Sequence, residues 1–270
     1  MKRYLKKVIF CGEDQPDVEQ GVLYIVDTKQ KLDRIKNMGL PVLAWLHEGN
    51  KDQDLSGAAY AVENPDALDM DFYEKVYCRE MNISWEILET ERLLIREMIP
   101  EDAAAFEEIY KEAAIKRYMK DFHGDAAGEA AYIREYQAHY RFYEYGVWSI
   151  VLKDTGKVIG RAGFSNMPGY PMPEHPGNMQ EHSGTLPEGQ GEIGELDGLP
   201  CLGYMIGVPW QRQGYAEEAC RAILDYAREE LDFTKVFLQV EEENEASIKL
   251  AKKLGFEGEG TGCLVMRKVL

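Results

Sequence analysis

A strand that stops at a proline and resumes as a helix constrains this chain more than any other feature. Leu202-Gly-Tyr-Met-Ile-Gly-Val-Pro-Trp-Gln-Arg-Gln-Gly-Tyr-Ala-Glu-Glu-Ala219 begins as an apolar run, halts at Pro209 and turns through Gln211 to Ala216 into a strongly periodic helix. Glycine at the tightest point of such a turn leaves several backbone N–H groups pointing at one volume, at the positive end of the following helix. That arrangement suits a phosphate or pyrophosphate. No Asp or Glu occurs between Val208 and Ala216 to oppose an anion. A P-loop would need Gly-Lys-Ser/Thr and a dinucleotide fold Gly-x-Gly-x-x-Gly, and neither string is present here.

A second block follows about thirty residues on, from Val236 to Phe256. Val236 to Val240 is a short β-rich run, and Asn244 stands where a helix N-cap belongs. Ile248, Ala251 and Leu254 recur at helical spacing. Lys252 and Lys253 fall in the last turn, where the helix dipole favours cations, and Gly255 reads as the C-cap. Capping accounts for Asn244 by itself, yet its amide still has donor hydrogens to offer a ligand.

Upstream, Glu89-Thr-Glu-Arg-Leu-Leu-Ile-Arg-Glu-Met-Ile-Pro-Glu-Asp-Ala103 reads as a strand followed by a helix from about Pro100 to Glu112, with Asp102 in its first turn. Tyr145 to Phe164 holds two strand-like runs around Asp154-Thr-Gly156, a hairpin turn. With Gln211-x-x-Gly214-x-Ala216 and the Asn244-x-x-Ser247 to Lys252-x-x-Gly255-Phe256 block, these segments resemble, in order, the RimJ/RimL-like branch of the GNAT N-acetyltransferases. The resemblance covers roughly residues 88–270.

It implies a GNAT acyl-CoA N-acyltransferase fold and acetyl-CoA as co-substrate, with no metal. Arg212, Gln213, Gly214, Tyr215 and Ala216 would hold the pyrophosphate. Asn244 and Ser247 would face the pantetheine arm. The strand Tyr204 to Val208, through Met205, Ile206 and Val208, would polarise the thioester carbonyl and pair with pantetheine like an added strand. The implied reaction is direct attack of an amine on a thioester, which needs a base for the ammonium proton, a donor for the oxyanion and a proton for the leaving thiolate. Relatives often begin that strand with a glutamate; here Cys201 stands there. The nearest carboxylates are Glu192, Glu195 and Asp197, and Glu195 is the candidate base. Relatives often place a tyrosine after the Gly-Phe block as general acid, whereas Glu257 to Leu270 contains none.

Asn166 to Pro200 departs from the family pattern. It is packed with glycine and proline, and long loops of this kind are lids, binding loops or inserts. By resemblance it borders the amine pocket; a solvated loop is the alternative. Its His175 and His182 lack short metal-ligand spacing.

Residues 1–87 form a separate reading. Gly21 to Asp27 is a buried-strand pattern, Lys29 to Met38 a helix capped at Gly39, and Pro41 to Leu46 a second strand. Ala58 to Val62 is a third strand, before a helix over Asp71 to Arg79. This order predicts a small parallel α/β unit and is similar to the latter part of haloacid-dehalogenase-like phosphatases. That family's nucleophile lies in an Asp-x-Asp motif after its first strand. No such strand is read before Asp27, and Asp52-Gln-Asp54 and Asp69-Met-Asp71 have the spacing without the strand. The unit is therefore expected to be non-catalytic.

Composition bounds these readings. Against 31 basic residues stand 48 acidic ones, a net charge of −17, which argues against general nucleic-acid binding and is compatible with a basic acceptor. No apolar run approaches the roughly 20 residues of a membrane span, and Met1 to Cys11 is too short in its apolar part for a signal peptide. Five cysteines without paired spacing suit a reduced cytoplasm. The expectation is an α/β chain whose 1–87 part is a small α/β domain and whose 88–270 part moves acetyl from acetyl-CoA to a small-molecule amine or a peptide N-terminus. A homodimer is allowed. The rival is a non-catalytic acyl-CoA sensor or scaffold.

Overall fold

The computed structural model describes residues 3–12, 19–119, 121–165, 199–260 and 262–270. The chain divides into two compact units, Met1–Glu86 and Ile87–Leu270.

The first unit is a four-stranded parallel sheet in the order β1 (Lys7–Phe10), β2 (Val22–Val26), β3 (Val42–Trp45), β4 (Ala61–Val62). All five residues of β2 are buried, as an uninterrupted apolar run in a two-sided parallel sheet should be. Helix α1 (Lys29–Asn37) covers one face through Leu32 and Ile35. Helix α2 (Met70–Glu80) covers the other through Tyr73, Val76 and Tyr77. Thr28 caps α1, and Gly39 (φ +67°) turns the chain into β3.

Two expectations for this unit need correction. A strand does precede Asp27, since β1 lies parallel to β2; Val8, Ile9 and Phe10 form too short an apolar run to announce an edge strand that stays half exposed. The residues after it read Cys11-Gly-Glu-Asp14, without Asp-x-Asp. The third strand is shorter than expected, because only Ala61 and Val62 pair with β3. The two Asp-x-Asp spacings serve locally: Asp69 caps α2 by accepting from Phe72 N at 2.8 Å, and Asp54 accepts from Ser56.

The second unit is built on an eight-stranded sheet in the order β11-β12-β10-β9-β8-β7-β6-β5. Its strands are β5 (Glu86–Glu89), β6 (Leu93–Glu97), β7 (Val147–Leu152), β8 (Val158–Ser165), β9 (Cys201–Ile206), β10 (Lys235–Glu241), β11 (Glu257–Glu259) and β12 (Cys263–Val269). The pairs β6–β7, β7–β8 and β8–β9 are antiparallel, as are β10–β12 and β12–β11. Strand β9 meets β10 in parallel at one position, Cys201 against Phe237. A parallel neighbour requires a crossover, which α6 (Tyr215–Glu229) supplies.

Helix α6 packs Ala219, Cys220, Ile223 and Ala227 onto one face of the sheet, over Leu202, Ile206, Val236 and Leu238. The other face carries α3 (Ala103–Tyr110), the single turn α4 (Ala113–Lys116) and α5 (Ala126–Tyr143). There Phe106, Tyr110 and Ile133 pack on Val151, Val158 and Met205. Helix α7 (Glu245–Lys253) follows β10.

The expected helix from Pro100 divides into a tight 3-10 turn over Pro100–Asp102 and then α3. The cause is Asp102, whose buried carboxylate accepts from Arg96 at 2.6 and 2.8 Å and from Ser149 Oγ at 2.6 Å, drawing the turn onto β6 and β7. The sequence carries no clear helical period over α5, since its tyrosines and histidine spread along more than one face. The Asp154 hairpin is present between β7 and β8.

Candidate functional site

Beyond the single Cys201–Phe237 pair, β9 and β10 no longer share a ladder, so the β9 edge faces a cleft instead of a strand. The cleft holds about 610 Å³, within the range of small-molecule sites. Its walls come from β9, the turn after it, the start of α7 and the α4 region, including Ile115, Tyr118 and Met119.

The turn is built as the sequence implies, with one addition. Strand β9 ends at Ile206, two residues short of the expected Val208. Gly207 N still donates to Ile159 O at 2.8 Å, but Pro209 has no N–H and the chain tightens into a 3-10 turn over Val208–Trp210. Gly214 then adopts φ +85° and, less expected for a side-chain-bearing residue, Arg212 adopts φ +62°. Alternation of this kind turns successive N–H groups toward one concavity. Gly214 is the N-cap of α6 and brings no capping side chain, so the first-turn donors of a 15-residue helix stay open for an anion.

Of the residues singled out from sequence, Met205, Ile206, Arg212, Gly214, Tyr215, Ala216, Asn244 and Ser247 line this cleft together. Val208 and Gln213 are not among the lining residues. Val208 is exposed, and the Gln213 amide folds back to donate to Pro209 O at 2.9 Å. Asn244 caps α7, its Oδ1 accepting from Ser247 N at 3.2 Å. Glu195 lies outside the described residues, as do Glu192, Asp197, His175 and His182. The 166–200 segment does too, except Leu199 and Pro200, whose carbonyl accepts from Phe237 N at 3.1 Å.

Several supporting residues were not legible. Arg92, at the start of β6, donates through Nη1 to Gln213 O at 3.0 Å and through Nε to Glu218 Oε2 at 2.6 Å. Glu218 also accepts from Thr90 Oγ1 at 2.6 Å. Burial alone would raise the Glu218 carboxyl, but these hydrogen bonds prevail and hold it below the usual range. Glu217 lines the cleft at the α6 terminus, yet Lys253 and Arg221 pair with it at 2.5 and 3.0 Å and hold its carboxyl down. Lys249 and Lys253 add cationic groups to the rim.

Two phenols cross the cleft. Tyr204 OH donates to Ser247 O and Tyr118 OH to Glu243 O, each at 3.2 Å. Burial pushes the Tyr204 hydroxyl up to about 12, so it stays a neutral donor at ordinary pH. Burial likewise raises the Cys201 thiol to about 12. A thiol that resists ionisation cannot replace a carboxylate as a base.

The GNAT acetyltransferase domain family matches residues 92–257. Among curated proteins, the chain is 30% identical over 183 residues to the uncharacterized N-acetyltransferase p20 of Bacillus licheniformis, covering 65% of this chain and 84% of that protein. In fold it is similar to an acetyltransferase of Agrobacterium tumefaciens (TM-score 0.51, 21% identity, 68% of this chain and 94% of that one). It is also similar in fold to RimL, a ribosomal L7/L12 alpha-N-protein acetyltransferase solved with coenzyme A (TM-score 0.53, 12% identity, 69% and 98%). A strand–turn–helix junction beside a split sheet accords with an acyl-CoA acyltransferase fold. The chain belongs to the GNAT acetyltransferase family and is an acetyl-CoA-dependent enzyme of that class. The rival reading of a non-catalytic sensor finds no support among these relatives. Among the described residues, no helix is long and apolar enough to cross a membrane.

Proposed function

We propose that the second unit transfers the acetyl group of acetyl-CoA to a primary amine, either a small molecule or a peptide N-terminus. The observation that carries this reading is the cleft itself, where an anion-ready helix terminus, an unpaired strand edge and the capped start of α7 converge. In this reading the pyrophosphate rests on the Arg212–Ala216 turn, with Gly214, Tyr215 and Ala216 contributing backbone donors, and Arg92 braces the turn from behind. Gln213 acts through its backbone. The pantetheine arm lies along Met205 and Ile206 and passes Asn244 and Ser247, replacing the strand that β9 lacks on that side. Tyr204 offers a neutral hydroxyl in the same space.

The acceptor side is the α3/α5 face. Gly203 is exposed there in mid-sheet, and among the described residues no atom lies within 4 Å of where a side chain would begin. An amine can reach the β9 backbone through that opening. The surplus of 17 negative charges favours a cationic acceptor.

The test is a screen of primary amines, amino acids, polyamines and tripeptides for free-thiol release from acetyl-CoA, with acetylated product identified by mass spectrometry. Acceptor-dependent release is expected. Tight coenzyme A binding with no acetylated product from any amine would remove the proposal.

A further inference from the structure

An ionic cluster on the acceptor face is not used by the donor site. Arg161 of β8 is 4% exposed and lies among the rings of Phe106 and Tyr110. Its Nη1 donates to Glu129 Oε1 at 3.0 Å, and its Nη2 to Asp121 Oδ2 at 2.7 Å and to the Tyr110 hydroxyl at 2.6 Å. Glu129, fully buried on α5, receives His123 on its other oxygen: Nδ1 lies 2.9 Å from Oε2 and the His123 backbone N 3.3 Å from it. The His123 ring is stacked on Tyr132 at 3.9 Å and 15°.

This arrangement fixes the chemistry of the imidazole. A carboxylate only accepts, so Nδ1 carries the proton and Nε2 of the neutral ring holds the lone pair. Among the described residues Nε2 has no hydrogen-bond partner, and the side chain is 30% exposed. A buried acid that orients a partly exposed histidine is the base-and-orienter pair of nucleophilic and proton-transfer sites. Its position also suits the reaction. Arg161 sits opposite Met205, and Gly163 opposite Gly203, so the cluster shares its face of the sheet with the Gly203 opening. In the sequence, Asp121 and His123 follow closely on Met119, which lines the cleft.

We infer that His123 is the general base for the acceptor amine and Glu129 its positioning residue, in place of Glu195. The inference rests on the acetyl-transfer reading. The acceptor arrives as an ammonium ion, and Nε2 takes one of its protons to free the lone pair. The C–N bond forms as the carbonyl π electrons move to oxygen. The intermediate collapses with cleavage of the C–S bond, and the attacking nitrogen's second proton passes to the leaving thiolate. The imidazolium returns the first proton to solvent. Ammonium and thioester thus become amide, thiol and one released proton.

His123→Asn tests this. Asparagine retains an N–H for Glu129 and deletes Nε2. With the best acceptor from the amine screen, kcat should fall by roughly 100-fold or more, while coenzyme A affinity and Tm stay at wild-type values. The residual rate should climb about tenfold per pH unit toward the amine's own pKa, because only amine already deprotonated in water can react. The charged and titratable groups facing His123 are Glu129 and Tyr132 of α5, Arg161 of β8 behind Glu129, and Asp121 in its own loop. Tyr132 is pushed up to about 12 by burial and stays neutral over this range. A wild-type rate in His123→Asn, or a loss with an unchanged pH profile, would overturn the assignment. So would a loss confined to Glu195→Gln. If His123→Asn does not fold, diethylpyrocarbonate on the wild-type protein replaces it: turnover lost in step with His123 modification supports the base, and turnover retained by the modified protein overturns it. If wild type acetylates no amine in the screen, the acetyl-transfer reading fails first and this inference with it.

Discussion

The Arg92 guanidinium lies 4.3 Å from the centre of the Tyr215 ring while its Nη1 holds the Gln213 carbonyl at 3.0 Å. One cation from the start of β6 therefore fixes both sides of Gly214, the residue whose backbone opens the α6 terminus. Arg92→Ala should loosen that turn. Coenzyme A affinity is expected to fall about tenfold, equivalent to about 1.4 kcal/mol. The bond to Glu218 and the cation–π contact are worth about 1 kcal/mol together, so Tm should drop by about 2–4 °C. Isothermal titration with coenzyme A checks the first figure and calorimetry the second. Unchanged affinity with lowered Tm would reduce Arg92 to a structural brace.

Asn244 separates capping from ligand binding. Its Oδ1 caps α7 at Ser247 N, and the residue also lines the cleft. Aspartate caps as well as asparagine, so Asn244→Asp should leave Tm within about a degree. It deletes the amide donor and sets a negative charge beside the proposed pantetheine path, and coenzyme A affinity should fall by roughly tenfold or more. Equal affinity in both proteins would leave Asn244 a cap alone.

The residues of the cleft are legible because their information is local. A glycine in a turn, a capping asparagine and the period of α7 are statements about neighbouring residues, and eight of ten named positions meet in one cleft. The two that do not meet there failed for local reasons as well: Pro209 ends the strand before Val208, and the Gln213 amide satisfies itself on Pro209 O. The supporting ion pairs are products of long-range contact. Arg161 and Glu129 are 32 residues apart, and Arg92 and Glu218 are 126 apart. Neither pair leaves a pattern in the sequence. Strand β1 leaves no clear signal for a related reason, since a four-residue edge strand becomes a strand only when β2 is beside it.

His139 gives the second unit a pH dependence. It is 7% exposed, stacked on Tyr136 at 4.7 Å and near Tyr143 and Tyr145, and its Nε2 is buried without a hydrogen-bond partner among the described residues. Burial lowers its pKa to about 4. An unfolded histidine titrates near 6.5, so below that pH the unfolded chain binds a proton that the folded chain refuses. Stability from this group is complete above about pH 6.5 and is lost as the pH falls toward 4, by on the order of 3 kcal/mol. His139→Phe keeps the stacking and removes the titration. Urea unfolding at pH 7 and pH 4.5 should show a smaller difference for the variant than for wild type. Equal differences would show that His139 has no part in the acid sensitivity.

Gly214 provides the most direct test of the donor assignment. Its φ of +85° is strained for any side chain, and a Cβ there would lie 3.3 Å from Arg92 Nη2. Gly214→Ala should therefore cost about 1 kcal/mol of stability through the backbone while adding no charge. Gly214→Asp adds the same strain together with a carboxylate against the proposed pyrophosphate. Comparing the two isolates the charge, because the backbone penalty is common to both. Coenzyme A should protect wild type strongly against thermal unfolding, Gly214→Ala less and Gly214→Asp hardly at all, since a ligand bound only by the folded state stabilises it by an amount that grows with the logarithm of its affinity. Dephospho-coenzyme A keeps the pyrophosphate and should follow the same order. Equal protection of the alanine and aspartate variants would mean that the anion rests elsewhere than on the Arg212–Ala216 turn.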